Sequence, residues 1–249
     1  MGTFGLLGKS LGHSFSKSYF ETKWKRDGIL GHEYHLFEVE SESGLSDFFK
    51  LNHHIRGLNV TVPYKKSVLP FLDQLTEEAV AIGAVNCIRF ENSLRTGHNT
   101  DAGAFQKSLL NWLPKPFDGH ALILGSGGAA LAVGYALTIL RIPYQMVSRN
   151  RTQITFQTLE KDWDPRWKLI VHATPLGMWP HTMDAPEIPY HWLDKSFYLY
   201  DLVYNPEKTL FLARGEQFGC HLKNGLEMLQ LQADASWQFW TQSSIYGST

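Results

Sequence analysis

The segment Ala121-Leu-Ile-Leu-Gly125-Ser126-Gly127-Gly128-Ala129-Ala130 constrains the fold of this chain more than any other. Four apolar residues read as a buried strand, the glycines as a tight turn, and Ala129 to Leu140 as a helix that leads into a second strand at Tyr144-Gln-Met-Val147. Strand, glycine turn, helix and strand in that order within about 30 residues open a doubly wound parallel sheet. Apolar runs at Leu169 to His172, Phe197 to Leu202 and Cys220 to Leu222 continue it.

The turn matches G-x-G-x-x-A, in which the backbone approaches a pyrophosphate and the helix N-terminus stabilises its charge. The plainer reading is a tight turn that packs helix on sheet without a ligand. The end of the second strand bears on the ligand. A site for NAD expects Asp or Glu about 20 residues past the glycines, on the ribose hydroxyls. This chain has Ser148-Arg149-Asn150-Arg151 there. A carboxylate would repel a 2′-phosphate, whereas a guanidinium pairs with it through two hydrogen bonds, so the expected cofactor is NADP. Arg149 stands nearer the strand end and is the expected ligand; Arg151 is the other candidate, and solvated loop arginines the bland alternative.

In the first half, Phe4 to Leu7, Tyr34 to Val39, Leu58 to Val62 and Cys87 to Phe90 read as strands. Helical patterns at Ser16 to Arg26, Leu45 to Leu51, Lys65 to Leu75 and Glu77 to Ile82 lie between them, an α/β alternation. The boundary between the halves falls around Asn99 to Leu113, before the turn at Lys115-Pro-Phe-Asp-Gly119. From Leu226 on, Leu226, Leu229, Ala233, Trp237 and Trp240 recur at helical spacing and require a partner face.

Three polar clusters stand out in the first half. Gly57-Leu-Asn59-Val-Thr61-Val-Pro63-Tyr-Lys65 places Asn59 and Thr61 on one side of a strand with Lys65 beyond the proline. Asn99-Thr100-Asp101 sets a carboxylate at the start of a helix over Ala102 to Leu110, where capping and catalysis are both open. His13-Ser14-Phe15-Ser16 follows a strand and opens a helix, so its hydroxyls either cap the helix or hold a carboxylate. Asn86 adds an amide beside a strand.

Composition excludes other classes. Of 249 residues, 23 are Lys or Arg and 24 Asp or Glu, a net charge of −1 that gives no bulk positive field for nucleic acid or anionic membrane. No window approaches the roughly 18 apolar residues of a membrane span, and no secretory leader is evident, so a cytoplasmic protein is expected. Two cysteines, Cys87 and Cys220, build neither a disulfide framework nor a cysteine metal site, and His32-Glu-Tyr-His35 sends its imidazoles to opposite strand faces, so no metal is expected.

In order along the chain, His13-Ser14-Phe15-Ser16, Asn59-Val-Thr61-Val-Pro63-Tyr-Lys65, Ile82-Gly-Ala-Val-Asn86, Asn99-Thr-Asp101, the glycine turn and Ala173-Thr174-Pro175-Leu-Gly177-Met178 resemble segments of the shikimate dehydrogenase family. Asp201-Leu-Val-Tyr204-Asn-Pro206 and Asn224-Gly225-Leu-Glu-Met228-Leu-Gln-Leu-Gln232-Ala233 complete a resemblance that runs nearly the whole chain.

The resemblance implies an α/β fold. An N-terminal α/β substrate-binding domain over residues 1–100 would be joined by a C-terminal helix over 226–249 that packs back on it. A Rossmann-like doubly wound NADP-binding domain would span 101–225, with the substrate in the cleft between. It implies NADP-dependent, reversible reduction of 3-dehydroshikimate to shikimate, a step of aromatic amino-acid biosynthesis, on a small-molecule substrate. Ser14 and Ser16 would bind the substrate carboxylate; Asn59, Thr61, Asn86, Tyr204 and Gln232 its hydroxyls and carboxylate; Lys65 and Asp101 would be the catalytic pair. Gly125, Ser126, Gly127, Gly128 and Ala129 would cradle the pyrophosphate, Ser148 and Arg149 the 2′-phosphate, and Thr174, Leu202 and Gly225 would line the path to the nicotinamide. Glu77 matches a position near the cofactor, with helix-surface solvation the equal alternative.

The chain departs from the family pattern at Ser10 and Lys17, where proline is common, and it is short between Thr152 and Leu169, where a helix is expected to be missing. A broader quinate and shikimate dehydrogenase, or a nucleotide-sensing module without catalysis, are the alternative functions. Monomer and homodimer both remain open.

Overall fold

Gly2–Gly8, with Phe4, Leu6 and Leu7 buried, forms the interior strand β1, buried along nearly its whole length. Around it the first hundred residues supply α1 (Phe15–Arg26), β2 (His32–Glu38), α2 (Leu45–Leu51), β3 (Ile55–Val60), β4 (Gln74–Leu75), α3 (Glu77–Ile82), β5 (Cys87–Glu91) and β6 (Leu94–His98). The chain is described by a computed structural model over residues 2–12, 14–149 and 154–242; His13 and Arg151 lie outside the described residues. The six strands form one sheet in the order β2-β1-β3-β5-β6-β4. β1 runs parallel to β2 and β3, and β5 antiparallel to β3 and β6.

The rest of the chain supplies α4 (Asp101–Leu110), β7 (His120–Leu124), α5 (Gly128–Ile139), β8 (Tyr144–Val147), β9 (Trp167–His172), β10 (Tyr198–Asp201), α6 (Leu210–Glu216), β11 (His221–Lys223) and α7 (Leu226–Thr241). Its five strands form an all-parallel sheet in the order β11-β10-β9-β7-β8, the doubly wound architecture expected from the glycine turn. The chain divides into two units, one with the residues up to Thr100 and those from Gln230 on, the other Asp101–Leu229. No helix among the described residues is long and apolar enough to cross a membrane.

Each unit has its own apolar interior. In the first, Leu7, Leu45, Phe48, Leu58, Val60, Tyr64 and Ile88 pack on one face of the sheet. On the other, Phe4, Phe20, Trp24 and Tyr34 enclose Ala233 and Trp240 of α7. The helical stripe at the end of the chain thus finds its partner on β1 and α1, although Leu226 at its start is exposed. In the second unit, Leu122, Leu124, Ile170, Leu199 and Phe211 are fully buried. Each such side chain contributes about 1.5–3 kcal/mol by leaving water.

Two expectations are corrected. Lys65 to Leu75 is not a helix: residues 62–68 run in turns, Leu69–Phe71 is a single 3₁₀ turn and Gln74–Leu75 is a short strand. Pro70 is the reason, since in a helix interior it lacks the N–H and clashes with the preceding turn. The strand expected at Leu58 to Val62 ends at Val60, so Thr61 stands one residue past it and Val62 is exposed. Thr61 N–H still donates to Leu7 O at 2.9 Å, extending the ladder by one bond. The missing helix agrees with the structure: described residues 155–166 hold only turns and coil, and Ile154 forms one isolated bridge with Val147.

Candidate functional site

In the first unit the polar residues converge through hydrogen bonds. Asn59 on β3 is 4% exposed; its Oδ1 accepts from Tyr34 Oη at 2.9 Å, and its Nδ2 donates to Asn86 O at 3.3 Å and Ser236 Oγ at 2.9 Å. Both amide hydrogens are therefore used inside the protein, and the second lone pair of Oδ1 is what Asn59 retains. Asn86 donates from Nδ2 to Thr100 Oγ1 at 2.9 Å and accepts at Oδ1 from the Thr100 N–H at 2.7 Å. Thr100 Oγ1 also lies 3.2 Å from Ser236 Oγ.

Ser236 donates to Gln232 O at 2.8 Å, one turn earlier on α7, so Gln232 stands on the helix face that carries this network. Burial holds the Tyr34 phenol well above its ordinary value, an effect that the Ser16 hydroxyl at its oxygen partly offsets. Ser16, Asn59 and Asn86, far apart in sequence, are thus joined through Tyr34, Ser236 and Thr100, which the sequence reading passed over.

Ser14 is the N-cap of α1 and accepts from Ser16 N–H at 3.2 Å, the capping role. Lys65 is half-buried in the turn after β3, and its carbonyl accepts from Val85 N–H at 2.8 Å. That bond fixes the Lys65 backbone to the residue before Asn86. Glu77 is exposed in the first turn of α3, where its charge favours the helix N-terminus.

In the second unit the expected residues gather at the carboxyl ends of the strands, where open parallel sheets bind ligands. Gly125 follows β7 with φ +127°, open to glycine and strained for other residues. A methyl group there would stand 2.9 Å from Ala173 O and 3.2 Å from the Thr174 methyl, so the turn lies directly against the end of β9. Leu202, just past β10, donates from its N–H to His172 O at 2.9 Å. A methyl on Gly225 would come 2.1 Å from Leu202 O, which packs that glycine against the same edge. Gly125, Thr174, Leu202 and Gly225 are brought together, and Tyr204 follows, half-buried. Asp101, 5% exposed, is the first residue of α4.

The donor set at this edge fits a phosphorylated dinucleotide. Ser126 and Gly127 are exposed, nothing lies within 4 Å of a methyl built on Gly127, and α5 starts there with no side-chain cap and no acidic residue in its first turn. Its N–H groups are left for an anion. Beyond β8, Ser148 is buried and Arg149 exposed. Neither is a carboxylate that would repel a 2′-phosphate.

Comparison with known proteins agrees with this geometry. Residues 6–88 match the family described as "Shikimate dehydrogenase substrate binding domain". The "Shikimate dehydrogenase (NADP(+))" of Bacillus subtilis is 35% identical to this chain, over 96% of this chain and 91% of that protein. The chain belongs to the shikimate dehydrogenase family. Among solved structures of the family, the shikimate 5-dehydrogenase of Thermus thermophilus in complex with NADP(H) and shikimate superposes with a TM-score of 0.84 at 29% identity, covering 97% of this chain and 94% of that one. Quinate dehydrogenase from Corynebacterium glutamicum in complex with NAD gives 0.81 at 26% identity, covering 96% and 93%.

Proposed function

We propose that this chain is an NADP-dependent shikimate dehydrogenase, which reduces 3-dehydroshikimate reversibly to shikimate. One observation carries the reading: the likeness to the Bacillus subtilis protein runs through both units rather than one, so the chain retains both the substrate-binding unit and the parallel-sheet unit of the family. The glycine turn with Arg149 in place of a carboxylate supports NADP over NAD.

When bound, the nicotinamide supplies the hydride. Lys65 has the proton to give: as the carbonyl carbon is reduced, its oxygen gains negative charge, and the ammonium stabilises that charge and protonates it. Asp101 accepts a hydrogen bond from a substrate hydroxyl. Ser14 and Ser16 hold the substrate carboxylate, and Asn59, Thr61, Asn86, Tyr204 and Gln232 its hydroxyls and carboxylate. The network through Tyr34 and Ser236 fixes the Asn59 and Asn86 amides, so that little side-chain entropy is lost on binding. Gly125, Ser126, Gly127, Gly128 and Ala129 hold the pyrophosphate, Ser148 and Arg149 the 2′-phosphate, and Thr174, Leu202 and Gly225 the nicotinamide side.

The test pairs shikimate or quinate with NADP or NAD and follows the absorbance of the reduced nicotinamide. Turnover confined to shikimate with NADP is expected. Equal turnover of quinate with NAD would replace the reading by the broader dehydrogenase, and folded protein without turnover would overturn it.

A further inference from the structure

His172 is the last residue of β9, paired in register with Asp201 at the end of β10, and neither side chain is exposed at all. His172 Nδ1 lies 3.0 Å from Asp201 Oδ1, and its Nε2 lies 2.5 Å from Thr174 Oγ1. The Asp201 carboxylate also accepts from Val203 N–H at 2.9 Å and from the Thr209 hydroxyl at 2.5 Å. A carboxylate can only accept, so Nδ1 carries the hydrogen. Three donors therefore meet the Asp201 carboxylate, the Nδ1 hydrogen among them. Nε2 of the neutral imidazole is then an acceptor, and the Thr174 hydroxyl donates to it. Leu176 N–H donates to the same Thr174 oxygen at 3.3 Å.

We propose that His172 is a positioning residue which, held by Asp201, turns the Thr174 proton inward, so that Thr174 faces the dinucleotide edge as a hydrogen-bond acceptor for an amide N–H donor, the group that a nicotinamide carboxamide presents. The Thr174 methyl would stand 3.2 Å from a methyl built on Gly125, so the residue that carries this acceptor lies beside the glycine turn. The inference rests on the reading that this edge binds NADP.

Two measurements on the whole protein test it. Nitrogen-15 spectra of histidine-labelled, ligand-free protein should show His172 with one ring hydrogen, on Nδ1; a hydrogen on Nε2 overturns the proposal. Calorimetric binding then compares NADP with its carboxylate analogue, which lacks the amide N–H donors. The native protein should prefer NADP by about tenfold, the worth of one hydrogen bond. Thr174→Val should remove that preference, and His172→Asn should weaken it in the native background yet change nothing further in the Thr174→Val background. A purely structural His172 would weaken both ligands alike in both backgrounds, which overturns the inference while NADP binding itself stands. Failure of the native protein to bind NADP would instead overturn the reading beneath it.

Discussion

Asn59 on β3 donates to the Ser236 hydroxyl on α7 across 2.9 Å, a bond that spans 177 residues of sequence. Asn59 is 4% exposed and Ser236 not at all, so this contact ties the late helix to the sheet through a desolvated polar pair. Leaving one member of such a pair without its partner costs about 1–3 kcal/mol. Ser236→Ala is therefore expected to lower stability by that amount. Urea unfolding should show a lower midpoint at an unchanged slope. A midpoint equal to the native one would mean that the network carries no stability.

Lys65→Ala is expected to reduce turnover by about two to four orders of magnitude, the usual worth of a placed proton donor, with little change in KM for shikimate. Val85 N–H holds the Lys65 carbonyl, a backbone bond the substitution leaves in place. Steady-state kinetics with the variant checks this. A rise in KM at constant turnover would make Lys65 a binding residue rather than a proton donor.

The parts of this architecture set by local chemistry were legible in the sequence. Leu45–Leu51, Glu77–Ile82 and Tyr144–Val147 form at the bounds their apolar spacing predicts, and the glycine turn announced the parallel sheet. The hairpin of β5 and β6 was passed over because its second strand, Leu94–His98, is polar. Its signal was the two-residue turn Asn92-Ser93, which has φ of 51° and 64° and joins Glu91 to Leu94. α6 was passed over as well; its cap, Thr209 accepting from Leu212 N–H, is a recognisable start signal. Tyr34, Thr100 and Ser236 were invisible for another reason. A hydroxyl gains its role from what the fold places against it, and no local spacing records that Asn59 meets α7.

Arg149→Ala is expected to raise KM for NADP far more than for NAD, because the side chain is exposed just past β8 and only NADP carries a 2′-phosphate for it. Kinetics with both cofactors decides the matter. Equal effects on both would move the phosphate contact to Arg151.

His98 on β6 predicts an acid-side loss of stability. Burial lowers its pKa from 6.5 to about 4, and its ring packs at a tilt on Phe239 at 4.8 Å between centroids while Nδ1 meets Thr76 Oγ1 at 2.9 Å. Below pH 6.5 the unfolded chain takes up a proton that the folded chain refuses, so stability falls as pH drops toward 4. The full difference is on the order of 3 kcal/mol. Glu78, with Oε2 3.9 Å from His98 Nε2 and its carboxyl raised by burial, works in the opposite sense, since the folded chain binds its proton more readily. The loss should therefore be steepest just below 6.5, above the carboxylate range. Urea midpoints of the native protein and His98→Asn, measured from pH 7.5 down to about 4.5, check this. The native curve should fall while that of the variant stays flatter, and parallel curves would assign the acid sensitivity to other groups.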